Sequence, residues 1–204
     1  VAFAAIAAIA LWAALGATAA TAQQIYIDTN GDGVADAGDV LNSSVRSVDI
    51  YLDTNHKMTG EPSVCPSGEP YQVSSYTFIL AWEPVGASSL QYGAWTDNMG
   101  FTIGVGGTQA GRDYWTGRAA PYYLAPGKHK LGTLGVKVTG TPVLSFRAST
   151  PIDSTAITSF GSPCEGTNFD NTITLGLDFF DSRGTSPADD SPRTAWRTIE
   201  DLYR

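Results

Sequence analysis

Twelve residues near the start of the chain, Asp28-Thr29-Asn30-Gly31-Asp32-Gly33-Val34-Ala35-Asp36-Ala37-Gly38-Asp39, place side-chain oxygens at positions 1, 3, 5, 9 and 12 of one loop. Calcium takes roughly six to eight hard oxygen ligands, and a tight loop turns alternate residues toward one centre. Asp28, Asn30, Asp32 and Asp39 supply side-chain ligands, Asp36 binds directly or through water, and the Val34 carbonyl adds a main-chain ligand. Gly33, at position six, permits the sharp turn. Magnesium, which keeps several of its waters, suits a ring this dense in protein ligands less well. The alternative is an ion-free Asx turn. Four carboxylates crowded without a cation repel one another, so the expectation is a calcium site.

Other chemistry is sparse. The chain has two histidines, His56 and His129, neither in a recognisable motif, and no Gly-x-Ser-x-Gly elbow for a nucleophile. Zinc needs three or four nitrogen or sulfur ligands, which these residues do not supply. Glu83 and Asp97, each near a tryptophan (Trp82, Trp95), are the best pair for a glycoside hydrolase, the less favoured alternative. The reading is therefore not an enzyme but a binding or scaffold module. Its partner is a protein or a surface polysaccharide. Flat aromatic faces stack on sugar rings, and Tyr114, Trp115, Tyr122 and Tyr123 are the candidate stacking residues, against the alternative that strand aromatics fill the core.

These residues need a scaffold, and the pattern is one of strands. After Ile25-Tyr26-Ile27, short β-rich runs separated by Gly, Pro, Ser and Asn fall at Val45–Leu52, Gln72–Trp82, Leu90–Trp95, Phe101–Val105, Asp113–Thr116, Lys130–Thr139, Val143–Ala148, Ala156–Phe160 and Thr172–Phe179. Many short strands without a long helical period predict an all-β, single antiparallel sandwich or jelly roll. Ile25-Tyr26-Ile27-Asp28-Thr29-Asn30 returns 25 residues later as Ile50-Tyr51-Leu52-Asp53-Thr54-Asn55. With no further copies this is not a repeat array but two similar strand ends, candidates for neighbours in space.

The pattern Asp-x-Asn-x-Asp-Gly-x-x-Asp-x-x-Asp resembles the calcium loops of dockerin modules, with Ala37 to Asn42 as the start of a following helix. A dockerin pairs two such loops; here there is one, and Asp53, Asn55 and His56 do not repeat the pattern. The loop therefore reads as a clamp on the body. The runs Tyr76 to Trp82 and Pro126 to Val138 look like strands of cohesin-type sandwiches, and Val45 to Phe179 is similar to exported bacterial proteins of unassigned function. That resemblance implies protein-binding modules or cell-surface scaffolds.

Val1 to Ala22 is uncharged and apolar, ending in a small-residue stretch with an Ala20-x-Ala22 cut site. It reads as a secretory signal peptide lacking its first residues. The mature form, without a membrane span, is then secreted or held at the cell surface. In that compartment Cys65 and Cys164 pair as a structural disulfide, closing a loop worth up to about 4–5 kcal/mol. The formal net charge of -8 and the lack of any Lys/Arg cluster argue against nucleic acid. The expected order is residues 1–22 signal, 23–43 calcium loop segment, 44–180 sandwich, 181–192 linker and 193–204 a short amphipathic C-terminal helix.

Overall fold

The computed structural model describes residues 23–56, 60–65, 67–150, 153–162 and 178–179. Alternation at period two builds both layers. In β2 (Ser47–Asp53), Val48, Ile50 and Leu52 are buried while Asp49, Tyr51 and Asp53 face the other way. β2 lies between β1 (Gln24–Asp28) and β7 (Lys128–Thr139), antiparallel to both, and β7 also pairs with β4 (Ser89–Asp97). A two-residue strand near the chain end, Asp178–Phe179, runs parallel to β1 along its free edge.

The second sheet is centred on β3 (Val73–Glu83) and β6 (Asp113–Leu124), with β5 (Ile103–Ala110) on the far side of β6. Along the other side of β3 lie β8 (Val143–Arg147) and β11 (Ser159–Gly161); between these two in sequence, β9 (Ser149–Thr150) and β10 (Asp153–Ile157) form a small hairpin. The Asp178–Phe179 strand is β12.

Rings join the layers. Phe78 of β3 meets Trp95 of β4 edge-to-face at 5.0 Å, and Tyr92 of β4 lies 5.2 Å from Tyr114 of β6. Ile25, Ile27, Ile50, Leu131 and Leu134 fill the core from the first sheet; Tyr76, Leu80, Leu144 and Phe146 fill it from the second. Gly132 marks how closely β4 and β7 approach: a Cβ there would stand 2.3 Å from the Thr96 carbonyl oxygen and 2.4 Å from the Trp95 ring.

The all-β sandwich expected from the alternation is what forms, and no helix occurs among the described residues. The helix expected over Ala37 to Asn42 is corrected. Ala37 and Gly38 make a turn closed by the Asp39 N–H on the Asp36 carbonyl, the Asp39 side chain is anchored on the amides of Thr29 and Asp36, and Leu41 is then buried in the core. β6 also extends eight residues past the predicted Thr116, because flanking strands pair through Gly117, Arg118 and Ala119. Pro121 is tolerated because β5 begins opposite Ala119 and leaves that side of β6 free.

Cys65 is buried and disulfide-bonded. Cys164, the signal segment, most of the strand expected over Thr172–Phe179, the linker and the C-terminal helix lie outside the described residues.

Candidate functional site

The acidic loop leaves β1 at Asp28 and folds back over the outward face of the first sheet. Asp28 is 1% exposed, and its carboxylate accepts three backbone N–H groups: Asn30 (3.1 Å) and Gly31 (2.6 Å) on Oδ1, and Gly33 (2.7 Å) on Oδ2. Gly31 and Gly33 have φ of 83° and 76°, the left-handed region in which a Cβ is costly. Asp39, fully buried, accepts Thr29 N–H at 2.7 Å on Oδ1 and Asp36 N–H at 3.0 Å on Oδ2. Loop positions 1 and 12 are thus tied to the same short segment. Burial pushes the Asp39 carboxyl above its ordinary range and the nearby Asp28 charge adds to this, while the Thr29 and Asp36 hydrogen bonds pull the other way.

The remaining predicted ligands lie differently. Asn30, Asp32 and Asp36 are exposed, and each turns an oxygen onto an amide two residues ahead: Asp32 N–H at 2.9 Å, Val34 N–H at 2.8 Å and Gly38 N–H at 2.6 Å. Val34 itself is exposed. As placed, no three acidic, histidine or cysteine side chains gather closely enough among the described residues to grip a metal ion. In kind the donors are those calcium takes: two buried carboxylates, Asp28 and Asp39, and three surface side chains, each held on a local amide.

What holds the loop down was not read from the sequence. The Gly33 carbonyl accepts the Tyr26 hydroxyl at 2.8 Å and also the Lys128 ammonium. Tyr26 and Tyr51 stack with their planes 8° apart and centroids at 5.3 Å, and the Lys128 Nζ stands 5.9 and 5.4 Å from the two ring centres. Burial under the loop, chiefly, raises the Tyr26 phenol well above its usual range. The echoed Ile-Tyr motif was the available signal: β1 and β2 pair with Tyr26 opposite Tyr51 and Ile27 opposite Ile50, so the repeated tyrosines form one outward platform. Lys128, the first residue of β7, lies 95 residues beyond Gly33, with no local mark in the sequence.

The second acidic turn stays separate. β1 and β2 are antiparallel, so Asp28 lies opposite Asp49 and the other end of the pair carries Asp53. There Asp53 accepts the Asn55 and His56 amides at 2.8 and 3.2 Å and meets the His56 ring at 3.3 Å. His129 contacts the Ala125 carbonyl at 2.9 Å, and burial lowers its pKa. Glu83 and Asp97 are not brought together. Asp97 holds the Tyr76 hydroxyl, and Glu83 lies seven residues further along the same strand, about 20 Å away.

The four candidate stacking residues divide. Tyr114 is corrected: at 2% exposed it belongs to the core and offers no face to a ligand. Trp115 is half-buried. Tyr122 and Tyr123 are 43% and 39% exposed, for a reason invisible in the sequence. Between the pairs Val73↔Leu124 and Ser75↔Ala119, one residue of β3 faces four of β6, Ala120 to Tyr123. Such a bulge bends the strand and re-aims its side chains. Tyr122 rests edge-on against Phe101, centroids 6.0 Å apart, its hydroxyl 3.3 Å from the Gly100 carbonyl. Ile103, two residues beyond Phe101, is 58% exposed.

No family model and no curated protein matches the sequence. Two solved structures are similar to the chain. One is the sixth cohesin of scaffoldin B from Acetivibrio cellulolyticus, in complex with a dockerin mutant (11% identity, TM-score 0.44, covering 78% of this chain and 96% of that one). The other is a type III cohesin module from the cell-surface anchoring scaffoldin of Ruminococcus flavefaciens (8% identity, TM-score 0.46, covering 78% and 86%).

Proposed function

We propose that this chain is an exported, non-catalytic binding module that holds a protein partner at the cell surface, its N-terminal loop closed by calcium over the outer face of the first sheet. The observation that carries the binding role is the β6 bulge, which presents Tyr122 and Tyr123 to solvent on a two-sheet scaffold. Tyrosine is enriched in interface hot spots, since it adds contact area at low conformational cost. The calcium reading rests on the order of oxygen donors in the loop and on Asp28 and Asp39 being buried together.

A pull-down from a surface extract with the chain as bait, repeated with Tyr122→Ala/Tyr123→Ala, tests the binding role. The double variant loses the captured protein, a fall in affinity of about ten-fold or more, while it still folds, its melting temperature lowered only modestly by the lost Tyr122–Phe101 contact. Capture unchanged by the variant defeats this reading. Binding to a glycan array that the variant abolishes, with no protein captured, assigns the same rings to sugar stacking instead.

A further inference from the structure

We propose that Asn30 is a self-modification site, where the Gly31 backbone nitrogen closes on the Asn30 side-chain amide and converts it to aspartate and isoaspartate. Asn30-Gly31 is the one Asn-Gly step in the sequence. Glycine matters because it puts no side chain beside the attacking nitrogen, and around Gly31 the space where a Cβ would stand is empty to 4 Å. Asn30 is exposed, so water reaches it.

The neighbours supply what the reaction needs. The Gly31 N–H, whose proton must leave, donates to Asp28 Oδ1 at 2.6 Å, within reach for a general base. The Asn30 Oδ1, where negative charge develops, accepts the Asp32 N–H at 2.9 Å. The departing Nδ2 donates to Asp32 Oδ2 at 3.1 Å.

In the step, a bond forms from Gly31 N to Asn30 Cγ and the Cγ–Nδ2 bond breaks. The Gly31 proton goes to the Asp28 carboxylate and on to water, and water in turn protonates the leaving nitrogen, which departs as ammonia. Water then opens the five-membered imide at either carbonyl, giving aspartate or isoaspartate at position 30. Nothing is oxidised or reduced. Either product puts a fifth carboxylate in a loop that already holds four, and isoaspartate also lengthens its backbone by one methylene.

The echoed turn provides an internal control. Asp53 Oδ1 accepts the amides of Asn55 and His56 as Asp28 Oδ1 accepts those of Asn30 and Gly31, but His56 stands where Gly31 does. The test holds the folded chain in chelator at physiological temperature and pH for several weeks, then maps peptides by mass spectrometry and assays isoaspartate. The expected result is deamidation at Asn30 with Asn55 intact, slowed about ten-fold or more by Asp28→Asn. Should that variant fail to fold, Gly31→Ala replaces it, with the same slowing expected. Asn30 unchanged, Asn55 changing equally fast, or a folded variant with the parent's rate would each overturn the assignment.

Discussion

Asp28→Ala lowers the stability of the folded chain by about 3–5 kcal/mol, because three backbone donors lose a buried, charged acceptor at once. The Asn30, Gly31 and Gly33 amides all converge on this carboxylate, and two of those residues are glycines held at positive φ. Without Asp28 nothing compensates for the conformational entropy those glycines lose, and the Gly33 carbonyl leaves Tyr26 and Lys128. For a chain of this size the midpoint of thermal unfolding falls by roughly 6–20 °C. Asp36→Ala is the comparison: exposed and accepting one amide from Gly38, it costs at most about 1 kcal/mol. Thermal or urea unfolding followed by circular dichroism checks both, and equal losses in the two variants would show that the buried anchor does not organise the loop.

Phe78→Ala costs about 3–5 kcal/mol by a different route, the cavity left in a core that cannot collapse around it. Phe78 has no exposed surface and touches rings from both layers. Tyr76 stacks on it at 6.1 Å, Phe146 meets it perpendicularly at 6.2 Å, and Trp95 reaches it from the opposite sheet at 5.0 Å. Phe78→Leu keeps most of the volume and recovers a large share of the loss. Urea unfolding measures it, the expectation being a lower midpoint at an unchanged slope. A loss below about 1 kcal/mol would mean that the two sheets do not depend on this contact.

The sandwich was legible because burial on one face imposes a period of two, as Val48, Ile50 and Leu52 show in β2. The pairing of β1 with β2 was legible from the echo of Ile25 to Asn30 in Ile50 to Asn55. What escaped depends on partners distant in sequence. The length of β6 is set by β3 and β5, which carry it through Gly117 to Ala119 against local propensity. Tyr114-Trp115 and Tyr122-Tyr123 look alike in the sequence. The first pair lies in regular register, with Tyr114 facing the core; the second rides a bulge and faces water. The Lys128 bond to Gly33 spans 95 residues and follows no local rule. Ala37 to Asn42 looked helical by analogy with a loop–helix unit, but here Leu41 is drawn into the sandwich.

The central claim, a calcium-closed loop clamped over the first sheet, is tested most directly by thermal unfolding in chelator and then at rising calcium. The account predicts a midpoint that climbs and keeps climbing with the logarithm of free calcium, equivalent to about 4 kcal/mol at a thousand-fold excess over Kd, and a flat response in Asp28→Ala. A midpoint identical in chelator and in saturating calcium would contradict it, leaving the loop held by its own amides, Tyr26 and Lys128 alone.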